Sequence, residues 1–137
     1  MSLYHFTDSG NIRSIRRRGL LSWRRLEDLQ VFHRAGSNEL SRRLDKLEGL
    51  EDYVRLCREP THPMAFVALD EGRIDEVLWL VVDEQVLRFS PLYSDMNATA
   101  TAAIVNRDPA TAFESQDPQA EILIPGFVAA KWITFPT

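Results

Sequence analysis

Asp117 to Gly126 reads "DPQAEILIPG", and it places Glu121 inside the apolar run Ala120, Ile122, Leu123 and Ile124. Burying an unpaired carboxylate costs several kcal/mol, or else forces the group to take up a proton. A glutamate here fits one of two descriptions. Either it is a tuned carboxylate pointing into a cleft, or the strand lies at a sheet edge with Glu121 and Leu123 on its outer face. The adjacent arginines Arg42 and Arg43 also have two readings. They form a fork of planar donors for pyrophosphate oxygens, or a helix-surface ion pair with Asp45. His5, between Tyr4 and Phe6, is a donor and acceptor in aromatic company, suited to a site or to a satisfied core position. His33 and His62 are isolated in sequence. With a single cysteine, Cys57, and no HxxxH pair, the spacing of a zinc site is missing. Cys57 has no histidine beside it and suits the core better than nucleophilic chemistry.

Positioning these groups requires a set of short elements. "YHF" reads as an aromatic strand, followed by a helix in "TDSGNIRSIRRRGLLSW": Thr7, Asp8 or Ser9 caps it, Ile12 and Ile15 share a face, and Gly19 ends it. Residues 24–50 predict one or two short helices interrupted near "RAGSN". Strands are then expected at Tyr53–Cys57, Met64–Leu69, Val77–Val82, Val86–Phe89, Ala120–Ile124 and Trp132–Phe135, separated by Pro, Gly and Asp groups. Between them "MNATATAAIVNR" predicts a helix with Asp95 as cap. Successive strands lie too close together for repeated βαβ crossovers, so the expected class is α+β with a mixed sheet. Neither GxGxxG nor GxxxxGK[ST] occurs, which leaves out the usual phosphate-cradling loops.

A chain of 137 residues and 15.7 kDa has room for one domain, 1–137. No apolar run reaches the roughly 20 residues that span a bilayer, and no positively charged start leads into an apolar stretch, so a cytoplasmic protein is expected with no membrane partner. The net charge of −4 conceals an uneven distribution: nine arginines and three acids fall between Arg13 and Arg43, and the remainder is acidic. That basic third suits a phosphate-rich partner or, equally, solvated helix faces balanced elsewhere.

In order and spacing, "YHFTDSGNIRSIRRRGLLSW", "SRRLD", "LEDYVRLCREPTHPM", "YSDMNATA" and "DPQAEILIPG" resemble the DarT family of NAD-dependent ADP-ribosyltransferases, toxins that modify bases in single-stranded DNA. The resemblance implies an ADP-ribosyltransferase-like split mixed β-sandwich with a helix after the first strand and NAD in the cleft between its sheets. It makes Glu121 the catalytic glutamate and Arg43 the essential arginine, also in contact with NAD. It places His5, Phe6 and Thr7 at the nicotinamide end, Asp52, Tyr53 and Met64 on the pocket wall, and Asn97 and Arg42 toward the substrate. Cleaving the nicotinamide–ribose bond builds oxocarbenium-like charge that a fixed carboxylate stabilises, with no metal required. The implied function is mono-ADP-ribosylation of a nucleobase in single-stranded DNA, with an antitoxin partner expected by family analogy. An RNA, protein or small-molecule acceptor, or a noncatalytic nucleotide-binding domain on the same fold, stays open. The segment between Asn97 and Glu121 is shorter than in the family, where a longer insertion shapes the acceptor site. Cys57 stands where relatives often carry an aromatic residue.

Overall fold

The computed structural model describes residues 1–31, 33–35 and 39–136. Strand β1 (Ser2–Asp8) runs antiparallel to β4 (Val77–Asp83) along its whole length, from Ser2 opposite Asp83 to Asp8 opposite Val77. Its other edge meets β3 (Tyr53–Cys57), which pairs in turn with β7 (Glu121–Pro125). The seven-stranded sheet is completed by β5 (Leu92–Ser94) and β6 (Val105–Asn106) on one side and β9 (Ile133–Thr134) on the other, in the order β6-β5-β7-β3-β1-β4-β9. A separate two-stranded sheet joins β2 (Leu20–Leu21) to β8 (Phe127–Val128). The α+β class holds, and the strands are divided between two sheets. The registered ladders are antiparallel rather than mixed, and the strands they join are mostly far apart in the chain.

Between the strands the described residues form five short helices: α1 (Ile12–Arg18), α2 (Trp23–Asp28), α3 (Glu39–Glu48), α4 (Pro63–Asp70) and α5 (Pro109–Phe113). Asp8 begins the turn into α1, its side chain accepting from the Gly10 N–H. Gly19 ends α1 with φ +77°, and a Cβ there would stand 2.2 Å from the Val128 carbonyl oxygen, so only glycine lets β2 turn onto β8. Helices α2 and α3 straddle the expected interruption. Gly36, Ser37 and Asn38 of "RAGSN" lie outside the described residues.

Three local expectations are overturned. Met64–Leu69 is helical, because the His62 side chain accepts the Met64 N–H as a cap and Pro63 occupies the first turn, where its missing N–H costs nothing. Val86–Phe89 belongs to a 3₁₀ turn over Glu84–Arg88, started by Asp83, whose carboxylate accepts from the Gln85 N–H. The "MNATATAAIVNR" segment forms turns leading into β6: Asp95 accepts from the Ile104 N–H and closes a loop instead of capping a helix. The helix in this region is α5, begun by Asp108 and Pro109.

The core explains the arrangement of β7. Ile122 and Ile124 join Leu3, Val54, Leu56, Leu80 and Val82 in the main cluster, whereas Leu123 packs on the opposite face with Leu50 and Ala98. Alternation therefore sends Glu121 to the Leu123 side of a strand that is central, not at an edge.

Candidate active site

Register decides which side chains share that face. Directly opposed residues of an antiparallel pair point to the same side, and Glu121 lies between Cys57 of β3 and Ser94 of β5, with Arg55 opposite Leu123. Arg55 is thus the diagonal neighbour of Glu121. Its Nη1 donates toward Glu121 Oε1 at 3.4 Å and to Asn97 Oδ1 at 3.3 Å, while Nη2 pairs with Asp45 Oδ1 of α3. The buried Glu121 also accepts the Ala98 N–H at 2.8 Å through Oε1. Asn97 holds this turn by accepting from the N–H and hydroxyl of Thr99. One guanidinium and one backbone amide therefore offset the charge that made Glu121 conspicuous in the sequence.

The second carboxylate is less comfortable. Burial raises the Asp45 carboxyl to about 6; Arg55 and the nearby Trp23 indole N–H oppose this, and Glu121 adds to it. His5 donates from Nδ1 to the Arg55 carbonyl at 2.8 Å, which leaves Nε2 as an acceptor. Burial lowers its pKa, against the raising effect of that hydrogen bond and of Glu121. Burial also takes His33 down to about 4, helped by the positive charge of Arg42. The Cys57 thiol is pushed up to about 12, first by burial and then by Glu121, so it stays protonated and inert. Among the described residues no group of His, Cys, Asp and Glu is placed to hold a metal ion.

Glu121 opens onto a cavity lined by residues of both sheets and of α1, α2 and α3. Of the residues singled out in the sequence, His5, Phe6, Thr7, Tyr53, Met64, Asn97 and Glu121 line it. Three do not. Asp52 stands behind the wall, accepting from the Ser22 hydroxyl at 2.7 Å and pairing with Arg25 Nε at 3.3 Å. Arg43 is exposed on α3 and lies outside the lining, as does Arg42. Helix geometry is the reason: at about 100° per residue, Arg43 is turned about 160° from the cavity-facing Asp45, whereas Arg42, three positions before Asp45, shares its face. The Arg42 Nε is buried without a hydrogen bond among the described residues. Sequence reading missed Arg55, Asp45, His33 and His62 as cavity residues. Arg55 carried a usable signal, a charge at an alternating position in an apolar strand, the same signal that picked out Glu121. The two histidines carried none, because only the fold brings 33 and 62 to one cavity.

The comparisons with known proteins bear on this cleft. Residues 4–134 match the family model described as "ssDNA thymidine ADP-ribosyltransferase, DarT". The chain belongs to the DarT family. DarT enzymes use NAD as co-substrate. Among solved structures, this DarT chain is similar to Thermosipho africanus DarTG in complex with ADP-ribose, at TM-score 0.79 and 19% identity over 97% of this chain and 42% of that one. It is similar also to Thermus sp. 2.9 DarT in complex with ADP-ribosylated ssDNA, at TM-score 0.73 and 17% identity over 99% of this chain and 81% of that one. The same Thermus protein in complex with NAD+ aligns at TM-score 0.65 and 18% identity, over 99% of this chain and 82% of that one. These likenesses establish the fold. No curated protein matches the sequence. No helix among the described residues is long and apolar enough to cross a membrane.

Proposed function

We propose that this DarT chain cleaves NAD in the cavity beside Glu121 and transfers ADP-ribose to a thymidine base of single-stranded DNA. The observation that carries this reading is Glu121 itself: a carboxylate on a central strand, held by the Ala98 N–H and Arg55 and facing a cavity instead of apolar packing. As the nicotinamide–ribose bond breaks, its electron pair leaves with nicotinamide and positive charge develops on the ribose. A preorganised carboxylate in a site shielded from water stabilises that charge without reorganising. The acceptor base then supplies the pair for the new bond and gives up a proton.

The other roles combine the resemblance with the lining of the cavity. His5, Phe6 and Thr7 on β1 flank the nicotinamide end, and Tyr53 and Met64 wall the pocket. Asn97 is bonded to Arg55 and sits toward the acceptor. Arg55, in contact with Glu121, takes the role of essential arginine that the resemblance gives to Arg43. Arg42, on the Asp45 face of α3, serves the pyrophosphate better than Arg43, which is left for DNA phosphates at the rim. Asp52 acts indirectly, by holding Ser22. Similarity to a DarTG structure supports a toxin role with an antitoxin partner, and DNA as acceptor supports action in the cytoplasm. The test is incubation with labelled NAD and a panel of single-stranded DNA, double-stranded DNA, RNA and protein. Label in the single-stranded DNA, dependent on thymidine, is the expected result. Transfer to RNA or protein alone would change the acceptor, and no transfer or NAD hydrolysis at all would leave a binding domain.

A further inference from the structure

His62 Nε2 is a buried polar atom of the cavity that the contacts above do not use. His62, the residue before α4, is 4% exposed, and its ring lies beside Phe6 with centroids 6.4 Å apart. Its Nδ1 accepts the Met64 backbone N–H at 3.2 Å, so the ring proton is on Nε2. That N–H is buried without a hydrogen-bond partner among the described residues and stands 3.9 Å from Glu121 Oε2. A buried donor without a partner is costly, and such groups concentrate where function requires them.

We propose that His62 is a positioning residue for Glu121, an inference that rests on the catalytic reading of that glutamate. The two carboxylate oxygens are held unequally. Oε1 has Ala98 and Arg55, while Oε2 faces only the His62 N–H among the described residues. The terminal torsion of a glutamate is broad, so a carboxylate anchored through one oxygen can still swing. A donor on Oε2 fixes its plane. A contraction of about 1 Å brings the pair to hydrogen-bond distance, in keeping with catalytic contacts that are long in empty sites and shorten once substrate is bound. Because the same imidazole caps α4, the position of that helix is tied to the orientation of the carboxylate.

Two substitutions separate these jobs, since the amide of asparagine overlays Nδ1 of histidine and that of glutamine overlays Nε2. His62→Asn keeps an acceptor for the Met64 N–H and removes the donor to Glu121. His62→Gln restores a donor near Oε2 and gives up the cap. For His62→Asn we expect kcat to fall about 10- to 100-fold, the scale of misplacing a reacting group, while NAD affinity and melting temperature stay near wild type. His62→Gln should recover most of kcat at a lower melting temperature. Full turnover in His62→Asn, or turnover that follows melting temperature across both variants, would overturn the proposal. An inactive wild type would instead refute the function proposed above, and a double-mutant cycle on unfolding would then decide the contact. Glu121→Gln combined with His62→Asn should shift the denaturation midpoint by a non-additive amount, and additive shifts would show that the two side chains do not interact.

Discussion

At the residue scale, Arg55 is surrounded by two carboxylates, Glu121 and Asp45, and is itself largely buried. Removing it leaves both acids without their common counterion. Arg55→Gln should therefore lower stability by about 3–5 kcal/mol, the cost of orphaning a buried charge, and should depress NAD turnover, whereas Arg43→Gln, at an exposed position, should change neither. Chemical denaturation and NAD hydrolysis measured side by side check this. Asp45 makes a pH prediction. Its folded carboxyl, raised to about 6 mainly by burial, holds a proton that the unfolded chain has released. Its contribution to stability is therefore greatest below about pH 4 and is lost as pH rises through 6, by on the order of 3 kcal/mol. Asp8 acts in the opposite sense. Burial would raise its carboxyl, but the N–H groups of Asp75, Glu76 and Gly10, with Arg34, together hold it low, and its contribution is lost in acid. Unfolding followed from pH 4 to 7 should show a smaller decline for Asp45→Asn than for wild type. Equal slopes would place the titration elsewhere. Glu121 was legible in the sequence because a charge inside an apolar strand is conspicuous. Asp45 looked like any helix-surface acid, since its burial depends on how α3 is turned.

At the element scale, the legible parts were those with strong local signals. Tyr53–Cys57 forms β3 at the expected bounds, and Gly19 stops the first helix as its type and place suggested. The misread parts were short apolar runs, where period alone cannot distinguish strand from helix. In "THPMAFVALD" the deciding features are the His62 cap and Pro63 at the first turn, which outweigh a run that resembles a buried strand. In "DMNATATAAIVNR" helix propensity yields to Asp95 and Asn97, whose side chains bond nearby backbone amides and favour turns. That turn delivers the Ala98 N–H to Glu121, so the misread element is part of the site. Gly19 carries the prediction at this scale. Gly19→Ala forces a side chain into left-handed backbone against the Val128 carbonyl and should cost about 2 kcal/mol or more. Gly19 also lines the cavity, so NAD affinity should fall with stability. A melting temperature equal to wild type would contradict the close packing of β2 on β8.

At the scale of the whole molecule, the order of the motifs said more than any one of them. Each is short, but their sequence from Tyr4 onward implied the family that the match over residues 4–134 establishes. The convergence of His5 and Glu121 on one cavity followed from it. The arginine expected to join them did not, because the resemblance places a residue in a chain order while helix phase places it in space. In the proposed reaction Glu121 acts through its charge. Glu121→Gln keeps shape and hydrogen-bonding capacity and removes that charge. Transfer from labelled NAD to a thymidine-containing single strand should fall about 100-fold or more, the range for loss of one preorganised electrostatic group, while NAD affinity and fold stay near wild type. Glu121→Gln transferring at the wild-type rate, or losing activity only by unfolding, would contradict it.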